Sequence, residues 1–217
     1  EAGDKEATEF WQWCLDVSMK YLVSMYDRLG IKFDYYHGES IYKDHLPDVE
    51  KQIKDSGILE DSEGALGVNL GKELGFARIF APDGRSLYAT RDLAQAMYRE
   101  KTFHPSKLLY VVAAQQSLHF KQYFAILKKM NHPVADKLHH VAFGFVPGMS
   151  TREGGAISLR DFLNEAHQRA LFAYNNEVER RPEGVDPNAI AESVAIGATY
   201  FYFLSHSNIK DFQFSWD

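Results

Sequence analysis

The sequence predicts an α/β fold built around a parallel sheet, and three observations predict it. Residues 108–114 read Leu-Leu-Tyr-Val-Val-Ala-Ala, an apolar run short enough for a strand covered on both faces. Residues 138–146 form a second such run, where Val141, Phe143, Phe145 and Val146 are the β-branched and aromatic types that strands favour. Between them, residues 117–130 place Leu118, Phe120, Phe124, Leu127 and Met130 at helical spacing, with Lys121, Lys128 and Lys129 left for water. Strand, helix, strand over so short a stretch is a βαβ unit, which requires parallel strands and a crossover.

The other elements follow in chain order. Residues 10–29 form an amphipathic helix, with Trp11, Leu15, Met19, Leu22, Met25 and Tyr26 on its apolar side. Residues 33–36 read as a strand, and residues 46–56 as a charged helix that turns Val49 and Ile53 inward. Residues 57–67 are loop-like. The stretches 65–70 and 76–81 alternate like antiparallel strands, and Pro82-Asp83-Gly84 is a turn. Residues 91–101 are helical, with Thr90 in the N-cap position. A long helix over 158–179 precedes a breaker-rich connector at 180–187 and an apolar helix over 189–204. The expected organisation is a leading helix with an inserted α+β segment (1–85), the βαβ core (86–157) and C-terminal helices (158–217).

Composition bounds the function classes. A hydrophobic share of 45% and an aromatic share of 14% in 217 residues describe a chain able to bury a core, not a disordered one. A net charge of −6 argues against a surface made for non-specific nucleic-acid binding. The single cysteine, Cys14, excludes an internal disulfide and leaves no cysteine cluster for structural zinc. No apolar stretch is long enough to span a bilayer and no signal-peptide pattern opens the chain, so a cytoplasmic setting is expected.

Three clusters gather where ligands bind in open α/β sheets, at strand ends. They are Tyr88-Ala89-Thr90-Arg91-Asp92, then Ala113-Ala114-Gln115-Gln116-Ser117-Leu118-His119, then the Gly- and hydroxyl-rich run Gly148 to Gly155. Asp92 lies one helical turn beyond Tyr88, so a helix reaching back that far projects both from one face. A carboxylate, a phenol and the Gln116 carboxamide around one cavity suit a planar cation with many donors, guanidinium above all. Each residue also has an ordinary reading. Asp92 suits the first turn of a helix because of the macrodipole, Tyr88 suits core packing, and Gln116 suits a cap. Their combination at strand ends favours a site.

These residues resemble arginyl-tRNA synthetase, a class I aminoacyl-tRNA synthetase. The resemblance rests on Leu87-Tyr88-Ala89-Thr90-Arg91-Asp92-Leu93-Ala94, on Tyr110-Val111-Val112 with Gln116-Ser117-Leu118-His119-Phe120, and on Met149-Ser150-Thr151-Arg152. The segment from Cys14 to Asp34, Gly38-Glu39-Ser40, Glu63-Gly64-Ala65, Ile209-Lys210-Asp211-Phe212 and Trp216-Asp217 extend it nearly end to end. It implies the second half of a Rossmann-like nucleotide-binding sheet, with an inserted α+β segment and C-terminal helices. By resemblance, Tyr88, Asp92 and Gln116 contact arginine, and Asp92 pairs with its guanidinium. Ala113 and His119 lie near the ribose of the adenylate, His119 as packing or support rather than direct contact. Phe143 and Phe145 offer backbone groups to adenine. Met149 opens the mobile signature loop, whose Ser150, Thr151 and Arg152 face the ATP phosphates. The implied partners are L-arginine, ATP with Mg2+, and tRNA(Arg).

The sequence departs from that family in places. Gly148 and Thr151 stand where the usual class signature has lysines, the second of which arginyl enzymes often lack, Glu153 stands where many relatives have Lys, and Ala113 where family members often carry Gly or an acid. No His-x-Gly-His segment is present, and His139-His140 has no such glycine spacing. The expectation is therefore a catalytic-domain piece of a larger arginine–tRNA ligase, inactive alone. In the larger enzyme the face of Tyr200, Phe201 and Phe203 would meet a further domain. The other readings are an arginine-binding module that does not activate the amino acid, or an interaction scaffold with an empty site.

Overall fold

The computed structural model describes residues 4–147, 157–176 and 184–216. They fall into two compact units: Glu1–Tyr36, Val146–Ser207 and Gln213–Asp217 form one, and His37–Phe145 with Asn208–Phe212 the other.

The second unit carries the sheet. After a 3-10 helix at Glu39–His45 come α2 (Leu46–Asp55), β1 (Glu60–Ser62), β2 (Ala65–Asn69), the short α3 (Gly71–Leu74) and β3 (Phe76–Phe80). Then follow α4 (Tyr88–Phe103), β4 (Leu108–Ala113), α5 (Ser117–Lys129) and β5 (Leu138–Phe143). The strands β4 and β5 pair in parallel from Leu108 opposite Leu138 to Ala113 opposite Phe143, with α5 as the crossover. This is the expected βαβ unit. One core joins Val49 and Ile53 of α2, Val68 of β2, Ile79 and Phe80 of β3, Leu93 and Met97 of α4, and Phe120, Tyr123 and Leu127 of α5.

Three local expectations need correcting in this unit. The β4 strand is not covered on both faces: Leu109 and Val111 are 60% and 65% exposed, while Tyr110 and Val112 pack on the core. Two strands with one crossover helix supply a single cover. Thr90 is not a helix cap, because α4 already begins at Tyr88. Thr90 is instead fully buried, its hydroxyl donating to the Ile79 carbonyl at 3.3 Å. Residues 57–67 are not all loop. Glu60–Ser62 pairs with β2 through a two-residue Glu63-Gly64 turn, both residues having positive φ (56° and 79°). That is the hairpin geometry usually marked by Asn-Gly or Asp-Gly, so Glu-Gly concealed it. Strands β2 and β3 then pair antiparallel as expected.

The first unit holds α1 (Lys5–Leu29), α6 (Leu159–Asn176) and α7 (Pro187–Ser205). Asp4 caps α1 by accepting from the Ala7 amide at 3.2 Å, and Gly30 ends it in the left-handed region. Asp186 caps α7, with Pro187 in its first turn. Residues 33–36 are not a strand; their rings pack on α1, Phe33 edge-on to Tyr26 at 5.0 Å and Tyr36 stacked with it at 6.5 Å. Among the described residues no strand pairs with this segment, so side-chain packing decides its path.

Arg28 ties the unit's three helices together. It donates to both Glu192 oxygens, Nε at 2.6 Å and Nη2 at 3.1 Å, to Asn164 Oδ1 at 2.8 Å and to the Leu163 carbonyl at 3.1 Å. Part of the expected aromatic face of α7 is used inside the unit: Phe203 meets Phe162 edge-on at 6.0 Å, and the Tyr200 hydroxyl donates to Leu29 O at 3.0 Å. Phe201 stays 77% exposed. Among the described residues no helix is long and apolar enough to cross a membrane.

Candidate functional site

The site begins with the way the chain leaves β3. A turn from Ala81 to Arg85 reverses it, and Leu87 N donates back to Ile79 O at 2.8 Å. The Thr90 hydroxyl uses the same carbonyl, so the first turn of α4 is tied to β3. That tie fixes the helical phase of Tyr88 and Asp92, one turn apart. The structure thereby brings both onto one helix, as the spacing predicts.

Tyr88 is 61% exposed, and its hydroxyl donates to Glu39 Oε1 at 2.7 Å. The Glu39 carboxylate holds the phenol above its ordinary pKa, because ionising it would set two negative charges side by side. Arg91 Nη1 lies 3.6 Å from the other Glu39 oxygen. Glu39 is the residue that the strand-end argument missed. Its only sequence signal was the Gly38-Glu39-Ser40 match, since the 3-10 helix that presents it is 49 positions before Tyr88.

Asp92 Oδ2 sits 2.7 Å from His119 Nε2, with only a fifth of the Asp92 side chain exposed. His119, two residues into α5, meets the Tyr88 ring at 6.5 Å and stacks on Tyr123 at 6.4 Å. Beneath them the Tyr110 and Tyr123 hydroxyls share a hydrogen bond of 2.9 Å, and burial pushes both phenols above their ordinary pKa values. They are neutral at physiological pH. Arg99 lies over the Tyr110 ring at 5.6 Å. A cavity of about 180 Å3 opens beside Tyr88, lined also by Arg78, Leu87, His119, Gln122 and Tyr123. Asp92 is not part of that lining.

Gln116 closes the 3-10 turn Ala114–Gln116 at the carboxyl end of β4, exposed and with no side-chain cap hydrogen bond. It precedes His119 by three positions, a spacing that puts both on one side of the first turn of α5. Ala113 is the last residue of β4, paired with Phe143 of β5.

Beyond β5 the backbone is already engaged. Gly144 N donates to Asn208 O at 2.6 Å, Phe145 N to Asp211 Oδ1 at 2.7 Å, and Phe212 N to Phe145 O at 3.2 Å. A side chain at Gly144 would collide with the Lys210 and Asp211 backbone. The rings of Phe143 and Phe145 remain exposed. Met149, Ser150, Thr151 and Arg152 lie outside the described residues. Among those described, no group of three His, Cys, Asp or Glu side chains could hold a metal ion.

The arrangement presents two carboxylates and a phenol oxygen around neutral aromatic rings. Such a set attracts a cation with several N–H donors.

Comparison with known proteins identifies the family. Residues 1–216 match the family described as tRNA synthetases class I (R), catalytic domain. An arginine–tRNA ligase of Halothermothrix orenii is 41% identical over all of this chain and 39% of its own length. One of Clostridium botulinum is 42% identical over the same shares. The chain thus spans about two fifths of the length of these curated relatives. Among solved structures, arginyl-tRNA synthetase from Plasmodium falciparum superposes with a TM-score of 0.87 at 27% identity, over 99% of this chain and 37% of that one. The Thermus thermophilus arginyl-tRNA synthetase shares the fold, with a TM-score of 0.75 at 20% identity over 88% of this chain and 39% of that one. The chain belongs to the catalytic-domain family of the class I arginyl-tRNA synthetases.

Proposed function

We propose that this chain supplies the arginine-recognising half of an arginine–tRNA ligase catalytic domain. The observation that carries the reading is the placement of Tyr88 and Asp92 one turn apart on α4, with Glu39 on the Tyr88 hydroxyl and His119 on the Asp92 carboxylate. Asp92 takes the guanidinium of L-arginine, Tyr88 directs its phenol proton to Glu39 and so offers its lone pairs to the substrate's donors, and Gln116 closes the pocket from the start of α5. A cation with several N–H donors complements that set of acceptors.

In the complete reaction the arginine carboxylate attacks the α-phosphate of ATP. The α–β phosphoanhydride breaks, pyrophosphate leaves, and the arginyl group then passes to the 3′ end of tRNA(Arg). The protein's part is orientation and charge stabilisation rather than covalent chemistry. Ala113, Phe143 and Phe145 border the place for the nucleotide, and Met149, Ser150, Thr151 and Arg152 the place for its phosphates. Mg2+ arrives as its complex with ATP. A cytoplasmic setting belongs to the same reading.

The test is calorimetric titration of arginine into the purified chain, with Asp92→Asn as the variant and citrulline as the uncharged competitor. Arginine binding that the variant loses and citrulline does not reproduce is the expected result. A chain folded by far-UV circular dichroism that binds arginine and citrulline equally refutes it.

A further inference from the structure

His119 stands where it can hold Asp92 in place. Its Nε2 lies 2.7 Å from Asp92 Oδ2, and the partners come from different helices, α5 and α4. An ionised carboxylate only accepts hydrogen bonds, so the ring nitrogen must carry the hydrogen. In the neutral ring that selects one tautomer, with hydrogen on Nε2 and a lone pair on Nδ1. The ring cannot easily turn away: Tyr88 meets it edge-on at 6.5 Å, Phe120 edge-on at 5.6 Å, and Tyr123 stacks on it at 6.4 Å. Oδ1 of Asp92 has no partner among the described residues, and Oδ2 keeps a second lone pair. Both oxygens can therefore still meet a guanidinium fork while the carboxylate plane is held.

Resting on the arginine reading, we propose that His119 is a positioning residue, which orients the Asp92 carboxylate for the substrate's guanidinium through an Nε2–H donor. A residue that holds a charge at the correct angle contributes through preorganisation, so its loss weakens binding beyond any contact of its own.

Two isosteres separate this role from packing. Glutamine carries its amide nitrogen three bonds beyond Cβ, as histidine carries Nε2. Asparagine carries it two bonds beyond, at the position of Nδ1. His119→Gln is expected to keep arginine affinity within about threefold of the original chain, whereas His119→Asn is expected to lose about tenfold, the scale of one hydrogen bond to a charged group. Equal affinities for the two variants overturn the proposal.

A second measurement needs no arginine. Long-range 15N–1H spectra of the chain report which ring nitrogen carries the hydrogen. The Nε2–H form is expected in the original chain, and a mixture of tautomers in Asp92→Asn. An Nδ1–H form in the original chain overturns the proposal. The Nε2–H form in a chain that binds no arginine upholds the His119–Asp92 arrangement and refutes the arginine reading instead.

Discussion

Replacing Glu192 by glutamine is expected to loosen the three-helix unit by removing charge while keeping shape. The Glu192 carboxylate receives Arg28 Nε at 2.6 Å and Nη2 at 3.1 Å, and His167 Nδ1 lies 2.8 Å from its second oxygen. Arg28 and His167 are mostly buried, with side chains 20% and 17% exposed, but Glu192 is 34% exposed. Hydrogen bonds to charged groups contribute about 1.5–3 kcal/mol when enclosed, and exposed ion pairs about 0.2–1 kcal/mol. Solvent reaches a third of Glu192, so the expected loss lies between these, about 1–2 kcal/mol at pH 7.

The same residue predicts the pH dependence. Arg28, and then His167, hold the Glu192 carboxyl below its ordinary pKa despite partial burial. A group depressed in the folded state adds stability above its unfolded pKa, and that stability fades as the pH falls through the folded value. The difference between the original chain and Glu192→Gln should therefore be full at neutral pH and shrink in the acid range, where Glu192 is itself neutral. Urea unfolding at pH 7 and at two acid pH values reads this directly. A double-mutant cycle with Arg28→Met should return a coupling of about 1 kcal/mol. A variant as stable as the original at pH 7, or a difference that persists unchanged into acid, would refute the reasoning.

The other expectations concern the site. Glu39→Gln should bring the Tyr88 phenol down toward its ordinary pKa, because the carboxylate that opposes its ionisation is gone. Alkaline difference spectra referenced to Tyr88→Phe would detect the shift, and an unchanged titration would mean that the bond does not persist in solution. Gly144→Ala should push residues 208–212 off the end of β5, since the new Cβ meets the Lys210 backbone. The expected cost is about 1–3 kcal/mol, with faster amide hydrogen exchange at Phe145 and Phe212; protection equal to the original would count against it. The arginine titration and the His119 series described above complete the set.

Much of the architecture could be read from local pattern. The apolar runs of β4 and β5 and the helical spacing between them required a parallel pair, and that pair is present. Tyr88 and Asp92 were placed together by a spacing of four, which holds whenever the segment is helical. Such inferences work because a period of 2 or 3.6 is written in the chain itself.

Other features depended on contacts between distant residues. Residues 33–36 have strand-like composition, yet among the described residues no strand pairs with them, and Phe33 and Tyr36 pack against Tyr26 instead. Thr90 looks like a cap, but its hydroxyl is claimed by a β3 carbonyl eleven positions away. Glu39 reaches Tyr88 across 49 positions and His119 reaches Asp92 across 27, so no periodicity links them. Sequence by itself determined the βαβ unit and the resemblance to a synthetase family, and it put the candidate residues at strand ends. Only tertiary structure decided which carboxylate accepts the Tyr88 hydrogen bond, which imidazole lies against Asp92, and which backbone groups beyond β5 are already taken. Hydrogen bonds of that kind depend on position in space to within a few tenths of an ångström, and separation along the chain does not encode it.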